Sequence, residues 1–393
     1  MYNKNVLTVG ESATILVADM ARELREQGKD IISFAVGEPD FDTPKRIKMA
    51  ARDALKHGFT KYTDLKGIKV LRETICEKLL KDNQLEYTAN QIIVSNGAKH
   101  ALFNSLYALV NPGDEVIVIT PAWVSYFEQI KLLGGIPVVV ESKNDFSIPH
   151  EDIKKSITKK TKAIILNSPC NPTGSVYTKE EITKLAYLIL EHDNLFVISD
   201  EIYEKIIYKP NTHYSIAAVC PEIKERTVVI NGFSKAYSMT GWRMGYSASN
   251  LEIAKLIAKI QSHMTSCPNS ISQWSSLTAL DLSEKEVQEM IDIFEIRKNI
   301  IRDYLKERPK LKYVEPKGAF YFFIDFSAYI GGKVKNSNEL SMYLLKNHYI
   351  ALTSGKAFFK ENYLRISYAT NEEKIKEGLK RLDKALEELS EGE

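Results

Sequence analysis

The apolar run TVVING leads into FSKAYSMTGWRMGY, which sets Ser234, Lys235 and Arg243 close together around two glycines. Any one lysine is ordinarily a solvated surface charge. Lys235, however, follows directly on a strand-like run, where partial desolvation lowers an ammonium pKa and frees the amine to attack an aldehyde. Ser234 and Arg243 can bind a phosphate beside it, the arginine through a fork of donors that matches phosphate oxygens. Upstream, LFVIS ends in Asp200, Glu201, Ile202 and Tyr203. An acid at a strand end can simply cap a helix. A buried aspartate beside a pyridine nitrogen has another use: it keeps that nitrogen protonated, so the ring accepts the electron pair released when a substrate loses its α-proton. Tyr203 is then suited to hydrogen-bond a ring hydroxyl.

Further polar groups fall in loops after other apolar runs. KAIILN runs into SPCNPTG, whose prolines and glycine dictate a loop rather than a helix start, and Asn171 in it is a second candidate donor to a ring hydroxyl. IIVSN runs into GAKHALF, a strand–glycine–helix passage in which the backbone N–H groups of Gly97, Ala98 and Lys99 can meet an anion at the helix terminus. Arg365 interrupts the alternating run YLRISYA, either as part of an exposed strand face or as a bidentate clamp for a carboxylate. In FAVGEPDFDTP, Gly37 lets backbone approach a ligand closely. Trp123, in TPAWVSY, is either core packing or a flat surface for an aromatic ligand.

The elements that must position these groups follow from periodicity. Between about 92 and 249, seven short β-branched runs (IIVSN, EVIVIT, IPVVV, KAIILN, LFVISD, TVVING and RMGYSAS) alternate with helix-length amphipathic stretches, which predicts an α/β sheet, largely parallel, with helices on both faces. Ligands of such sheets collect beyond the carboxyl ends of the strands, where the chemical loops lie. The C-terminal part reads as a separate α+β unit: a polar helical region near 284–308, the strands KYVEP, AFYFFID and YLRISYA, and a last helix. For that helix Thr370 and Glu373 suggest a capping box, and Ile375, Leu379, Leu382, Leu386 and Leu389 form an apolar stripe. A helix over roughly 13–27, stopped by Gly28, is expected to pack on the C-terminal unit and make it discontinuous.

Composition narrows the partners. The 53 basic and 51 acidic residues leave a net charge of +2, so no strong field draws the chain to nucleic acid or to a membrane, and a small-molecule partner is expected. The four cysteines are dispersed without a C-x-x-C, so neither a disulfide framework nor a metal site is indicated. With no signal-peptide core and no apolar run of membrane-spanning length, a cytoplasmic location is expected.

Taken together and in order, GEPDFDTP, KYTDLKG, NSPCNPTG, SDEIY, FSKAYSMTGWRMGY and YLRISYAT resemble the landmarks of class I aminotransferases of the fold-type I pyridoxal-phosphate family over nearly the whole chain. That resemblance implies a large unit over 46–284, built on a mostly parallel seven-stranded sheet sandwiched by helices, and a small discontinuous unit over 1–45 and 285–393. It implies that Lys235 carries pyridoxal 5'-phosphate as a Schiff base and shuttles the substrate α-proton. Asp200 pairs with the pyridine nitrogen, Tyr203 and Asn171 with the ring hydroxyl, and Trp123 stacks on the ring. The phosphate is held by Gly97, Ala98, Ser234 and Arg243, with Tyr62 reaching across from the other subunit of a homodimer. Arg365 and Asn171 hold the substrate carboxylate near Gly37. Cys170 stands where many relatives have asparagine.

Substrate choice rests on finer features. No arginine occurs between Arg243 and Arg297, which removes the distal-carboxylate arginine of some aspartate aminotransferases. A different subgroup carries a lysine at the start of the phosphate-loop helix and a Ser-Ala-Thr near the N-terminus, and this chain has Lys99 with Ser12-Ala13-Thr14. Lys99, Ser12 and Thr14 are therefore expected to recognise the distal carboxylate of aspartate and glutamate; alternatively Lys99 adds charge near the phosphate and Ser12 or Thr14 caps a helix. Relatives that also accept prephenate carry a basic residue before Ser-Ala-Thr, where this chain has Gly10 and Glu11. A β-lyase on the same scaffold and a non-catalytic pyridoxal-phosphate-binding regulator are competing readings; a nicotinamide dehydrogenase is set aside because no G-x-G-x-x-G follows a strand.

Overall fold

The computed structural model describes residues 2–10 and 13–390. Ser12 lies outside the described residues; Thr14 falls in the helix Ala13–Glu26, with its side chain outside the description. The seven β-branched runs form the strands Ile92–Asn96, Glu115–Thr120, Ile136–Glu141, Thr161–Asn167, Phe196–Asp200, Thr227–Gly232 and Met244–Ala248. They make one sheet, in the spatial order 92–96, 244–248, 227–232, 196–200, 161–167, 115–120, 136–141. The strand Met244–Ala248 runs antiparallel to both neighbours, and the other pairs are parallel.

Both faces are covered because successive side chains point to opposite sides of a strand. Ile93, Val116, Val118, Ile165, Ile198 and Val228 pack on one side with the helices Ala98–Leu109, Val124–Leu132 and Leu251–Met264. Their sequence neighbours Ile92, Val94, Ile117, Ile164, Val197 and Val229 pack on the other, with Lys69–Asn83 and Lys179–Leu190. Parallel register sets Asn167 directly beside Asp200 at the carboxyl edge of the sheet.

A second, four-stranded antiparallel sheet joins Thr353–Ser354, Tyr363–Ser367, Tyr321–Asp325 and Lys312–Tyr313 in that order. The N-terminal strand Ile32–Ser33 pairs in parallel with Ile350–Ala351, so the start of the chain is stitched to its end. The core here is aromatic, with Phe34, Phe294, Phe320, Phe322 and Tyr368, and it takes in Ile202 and Tyr203 from the loop that leaves the large sheet. That loop therefore bridges the two sheets, and the chemistry-bearing residues lie where it does so.

The polar helical region forms one helix, Glu284–Lys306, capped by Ser283 with Glu286 in a capping box. The last helix corrects one expectation. It spans Glu372–Ser390, and Asn371, not Thr370, accepts from the Lys374 N–H at 2.9 Å. Either side chain suits the role, but the Asn371 carbonyl also accepts the Ile375 N–H, placing the cap one residue later. The expected stripe from Ile375 to Leu389 is buried. Among the described residues no helix is long and apolar enough to cross a membrane.

Candidate functional site

A cavity of about 450 Å³ opens at the carboxyl edge of the large sheet, lined by Gly37, Ala98, Lys99, Trp123, Asn171, Asp200, Tyr203, Ser234, Lys235, Arg243 and Arg365. Eleven separate sequence assignments thus converge on one space. Lys235 follows the strand Thr227–Gly232 by three residues, and its Nζ donates to the Gly37 carbonyl at 2.5 Å. Burial holds its pKa down at about 8, against the raising influence of Glu38. A fraction of the amine is thus neutral near neutral pH, the state a nucleophile and base requires.

Asp200 closes the strand Phe196–Asp200 and is buried. Desolvation pushes its carboxyl up to about 6, while a 2.7 Å hydrogen bond from Tyr126 Oη to its Oδ2 pulls the other way. Its backbone carbonyl accepts from Asn167 Nδ2 at 2.9 Å, and Asn167 Oδ1 in turn accepts the Asn171 N–H at 2.9 Å, which fixes the NPTG turn beside the acid. Cys170 in that turn is buried, its thiol pushed up to about 11 by desolvation. Such a thiol is a packing residue at neutral pH.

Arg365 is 2 % exposed on the strand Tyr363–Ser367, so the reading of an exposed strand face is excluded. Its Nη1 donates to Asn171 Oδ1 at 2.8 Å and its Nη2 to the Ala35 carbonyl at 2.6 Å, while among the described residues Nε is buried without a partner. A buried guanidinium with spare donors facing a cavity can clamp a carboxylate. The loop after Phe34 is pinned on several sides: Phe34 bonds Ala351 and Ser367, Asp40 takes a two-pronged bond from Arg297 at 2.6 and 2.9 Å, and Thr43 donates to the Ser238 carbonyl at 2.6 Å.

At the far side of the lysine, Gly97 has φ +85° and ends in the helix Ala98–Leu109, whose first N–H groups have no intrahelical acceptor. A Cβ on Gly97 would sit 2.5 Å from Arg243 Nη2, so glycine is what lets the guanidinium close on the turn. Helix terminus, guanidinium and the buried Ser234 together make an anion cradle. Lys99 Nζ lies 4.8 Å over the Trp123 ring, and burial together with the nearby Arg243 lowers its pKa. Trp123 is half-buried, meets Tyr126 edge-on and lines the cavity.

Tyr62 is 90 % exposed and stands outside the cavity of its own chain. The lining residues not singled out from sequence include Tyr126, Tyr321 and Ala18, the last on the helix that carries Thr14. Outside the cavity, Glu201, Glu204 and His213 bring possible metal-ligand atoms within 4.8 Å of one another. Lys78 and Asn83 already engage Glu204, and Ser199 and Ser215 engage Glu201.

A lysine of lowered pKa, a buried acid and an anion cradle beyond the strands of a mostly parallel sheet define a fold-type I pyridoxal-phosphate enzyme. The cavity fits that cofactor on its own terms: among the described residues no cation pairs directly with the buried Asp200, a place a protonated pyridine nitrogen would fill, and the Gly97–Arg243 turn sets a guanidinium and helix N–H groups toward a phosphate. The chain belongs to the aminotransferase class I and II family, whose model matches residues 29–382. It is 44 % identical over 382 residues to an aspartate aminotransferase of Bacillus sp. (strain YM-2), covering 96 % of this chain and 97 % of the relative. To a probable aspartate/prephenate aminotransferase of Aquifex aeolicus it is 46 % identical over 385 residues, covering 96 % of each. The solved aspartate aminotransferase of Thermus thermophilus with maleate superposes with a TM-score of 0.93 at 40 % identity, covering 98 % of this chain and 99 % of that one.

Proposed function

We propose that the chain transfers the amino group of L-aspartate to 2-oxoglutarate, yielding oxaloacetate and L-glutamate, in two half-reactions at one site. The observation that carries this reading is the placement of Lys235, with its pKa near 8, in one cavity with buried Asp200 and buried Arg365. The two relatives named for aspartate and the Thermus structure with maleate, a dicarboxylate, support the substrate class.

Bound pyridoxal phosphate supplies an electron sink for the substrate's Cα–H pair. Gly97, Ala98, Ser234 and Arg243 would hold its phosphate, Asp200 would keep its ring nitrogen protonated, Tyr203 and Asn171 would bind its ring hydroxyl, and Trp123 would stack on its ring. Arg365 takes the amino acid's α-carboxylate with Asn171, fixing which bond at Cα lines up for cleavage. As a free amine, Lys235 Nζ would take the proton from the substrate's α-carbon and deliver it to C4′ of the cofactor. Lys99, with Ser12 and Thr14, takes the distal carboxylate; Ala18, on the same helix as Thr14, lines the cavity. The reading includes a cytoplasmic homodimer in which the exposed Tyr62 serves the other subunit's phosphate site, and two units, 46–284 and 1–45 with 285–393, that hold the substrate between them.

The test is stoichiometry. With cofactor-loaded protein and no acceptor, aspartate yields one oxaloacetate per site and stops; 2-oxoglutarate restores turnover and forms glutamate. Continuous release of pyruvate, ammonia and a thiol from an amino acid with a β-thioether, without acceptor, would show a lyase instead. The Aquifex relative's name raises prephenate as a second acceptor, whereas Gly10 and Glu11, standing where prephenate-accepting relatives carry a basic residue, count against it; glutamate-dependent consumption of prephenate decides.

A further inference from the structure

Tyr321 joins three groups of the cavity and has no role in the chemistry set out above. It is fully buried on the strand Tyr321–Asp325 of the four-stranded sheet. Its Oη lies 2.8 Å from Tyr203 Oη, which sits on the loop leaving the large sheet. The Arg365 guanidinium lies 4.5 Å over the Tyr321 ring. A Cβ on Gly37 would come within 2.8 Å of the same Oη, so the backbone that receives the Lys235 amine is packed against this phenol.

The direction of the Tyr203–Tyr321 hydrogen bond follows from these contacts. A cation over a phenol ring draws electron density from it and makes its hydroxyl the better donor. Among the described residues Tyr203 Oη is the hydrogen-bond partner of Tyr321 Oη, so a Tyr321 proton turned elsewhere would be buried without an acceptor. With Tyr321 donating, the Tyr203 oxygen is satisfied and its own proton is free to point into the cavity. We propose that Tyr321 is a positioning residue that donates to Tyr203 and so aims and strengthens the Tyr203 hydroxyl as a donor to the cofactor's ring oxygen, while its ring supports Arg365. The proposal rests on the assignment of Tyr203 to that ring oxygen. One phenol then couples the carboxylate clamp to the group that sets the cofactor's basicity, through a chain of hydrogen bonds in which each donor polarises the next.

The experiment is a pH titration of the visible cofactor band in holoenzyme for wild type, Tyr321→Phe, Tyr203→Phe and the double variant, together with KM and kcat for aspartate. Tyr321→Phe keeps the ring under Arg365 and removes only the hydroxyl. A weaker Tyr203 donor leaves more negative charge on the ring oxygen and raises the pH at which the band titrates, by roughly half a unit to one unit for one hydrogen bond. The expected result is an upward midpoint shift in Tyr321→Phe, smaller than that of Tyr203→Phe and absent when added to Tyr203→Phe, with KM for aspartate changed less than kcat. An unchanged midpoint in Tyr321→Phe beside a shifted one in Tyr203→Phe overturns the proposal and leaves the Tyr203 assignment standing. The same shift in the Tyr203→Phe background as in wild type also overturns it, because Tyr321 then acts through another group. No shift in either single variant overturns the Tyr203 assignment, and the proposal with it.

Discussion

Replacing Asp200 by asparagine should move stability and activity in opposite directions, and the structure gives the size of the first. In the cofactor-free protein burial raises the Asp200 pKa from 3.8 to about 6. A carboxyl whose folded pKa lies above its unfolded value stabilises the fold fully below the unfolded pKa, and that stability is lost as pH rises through the folded pKa. About two pKa units at about 1.4 kcal/mol each make roughly 3 kcal/mol lost by this one group between about pH 4 and pH 7. Asparagine keeps an acceptor for Tyr126 and carries no charge, so its offset from wild type should grow more favourable by that amount across the same window. At about 2 cal/mol/K per residue of unfolding entropy, a chain of 393 residues turns 3 kcal/mol into about 4 °C of Tm. The assay is thermal unfolding of both cofactor-free proteins at pH 4.5, 6 and 7.5, at one scan rate and ionic strength. A Tm difference that stays flat, or that turns against asparagine as pH rises, refutes the reasoning. In the loaded enzyme the same substitution leaves the ring nitrogen without its anion and should lower kcat/KM on the order of 10²–10³-fold.

Other substitutions test the remaining parts of the site. Lys99→Ala should lower kcat/KM for aspartate by roughly 10–100-fold, the worth of a charge-assisted hydrogen bond, while leaving that for alanine within a few-fold; equal losses for both remove Lys99 from distal-carboxylate recognition. Arg365→Lys gives up the fork to the α-carboxylate and the bond to Asn171 Oδ1, so KM should rise roughly 10-fold or more for every amino acid, as steady-state kinetics with aspartate and alanine will show. Tyr126→Phe removes the donor on Asp200 Oδ2, raising that carboxyl further, so cofactor binding should begin to fail at a pH higher by roughly half a unit to one unit when followed by equilibrium titration. Gly37→Ala places a Cβ 2.8 Å from Tyr321 Oη and should lower kcat through displaced backbone at the lysine, with little change in Tm beyond about 2 °C.

Lys235, Asp200, Asn171 and Arg365 were legible because each interrupts, ends or closely follows an apolar run with a group whose burial demands a reason. The seven strands were legible for a related cause, since β-branched runs between amphipathic stretches leave few alternatives. Tyr126 and Tyr321 were not. Tyr126 sits three residues after Trp123 on a helix, and its partner Asp200 is 74 positions away, a pairing that only the strand order creates. Tyr321 hides in AFYFFID, which reads as plain core; the one available signal was a hydroxyl in an apolar strand, which must find a partner when buried. The shifted cap at Asn371 shows the limit of local pattern, because Thr370 and Asn371 both suit the role and the backbone decides. Tyr62 shows another limit: it is exposed outside its own chain's cavity, so the role that the resemblance implies for it can be tested only against a second copy of the chain.

The most direct measurement is the reaction of cofactor-free protein with pyridoxal phosphate, followed by visible absorbance against pH and then by borohydride fixation and peptide mapping, in wild type and Lys235→Ala. In wild type a visible band should form at a rate that rises with pH and levels off above about 8, where the buried Lys235 amine is neutral, and the fixed cofactor should map to Lys235. Lys235→Ala should form no such band and fix no cofactor in the cavity. A band of equal rate and yield in Lys235→Ala, or fixation on a different lysine in wild type, would contradict the assignment of Lys235 as the residue that carries the cofactor.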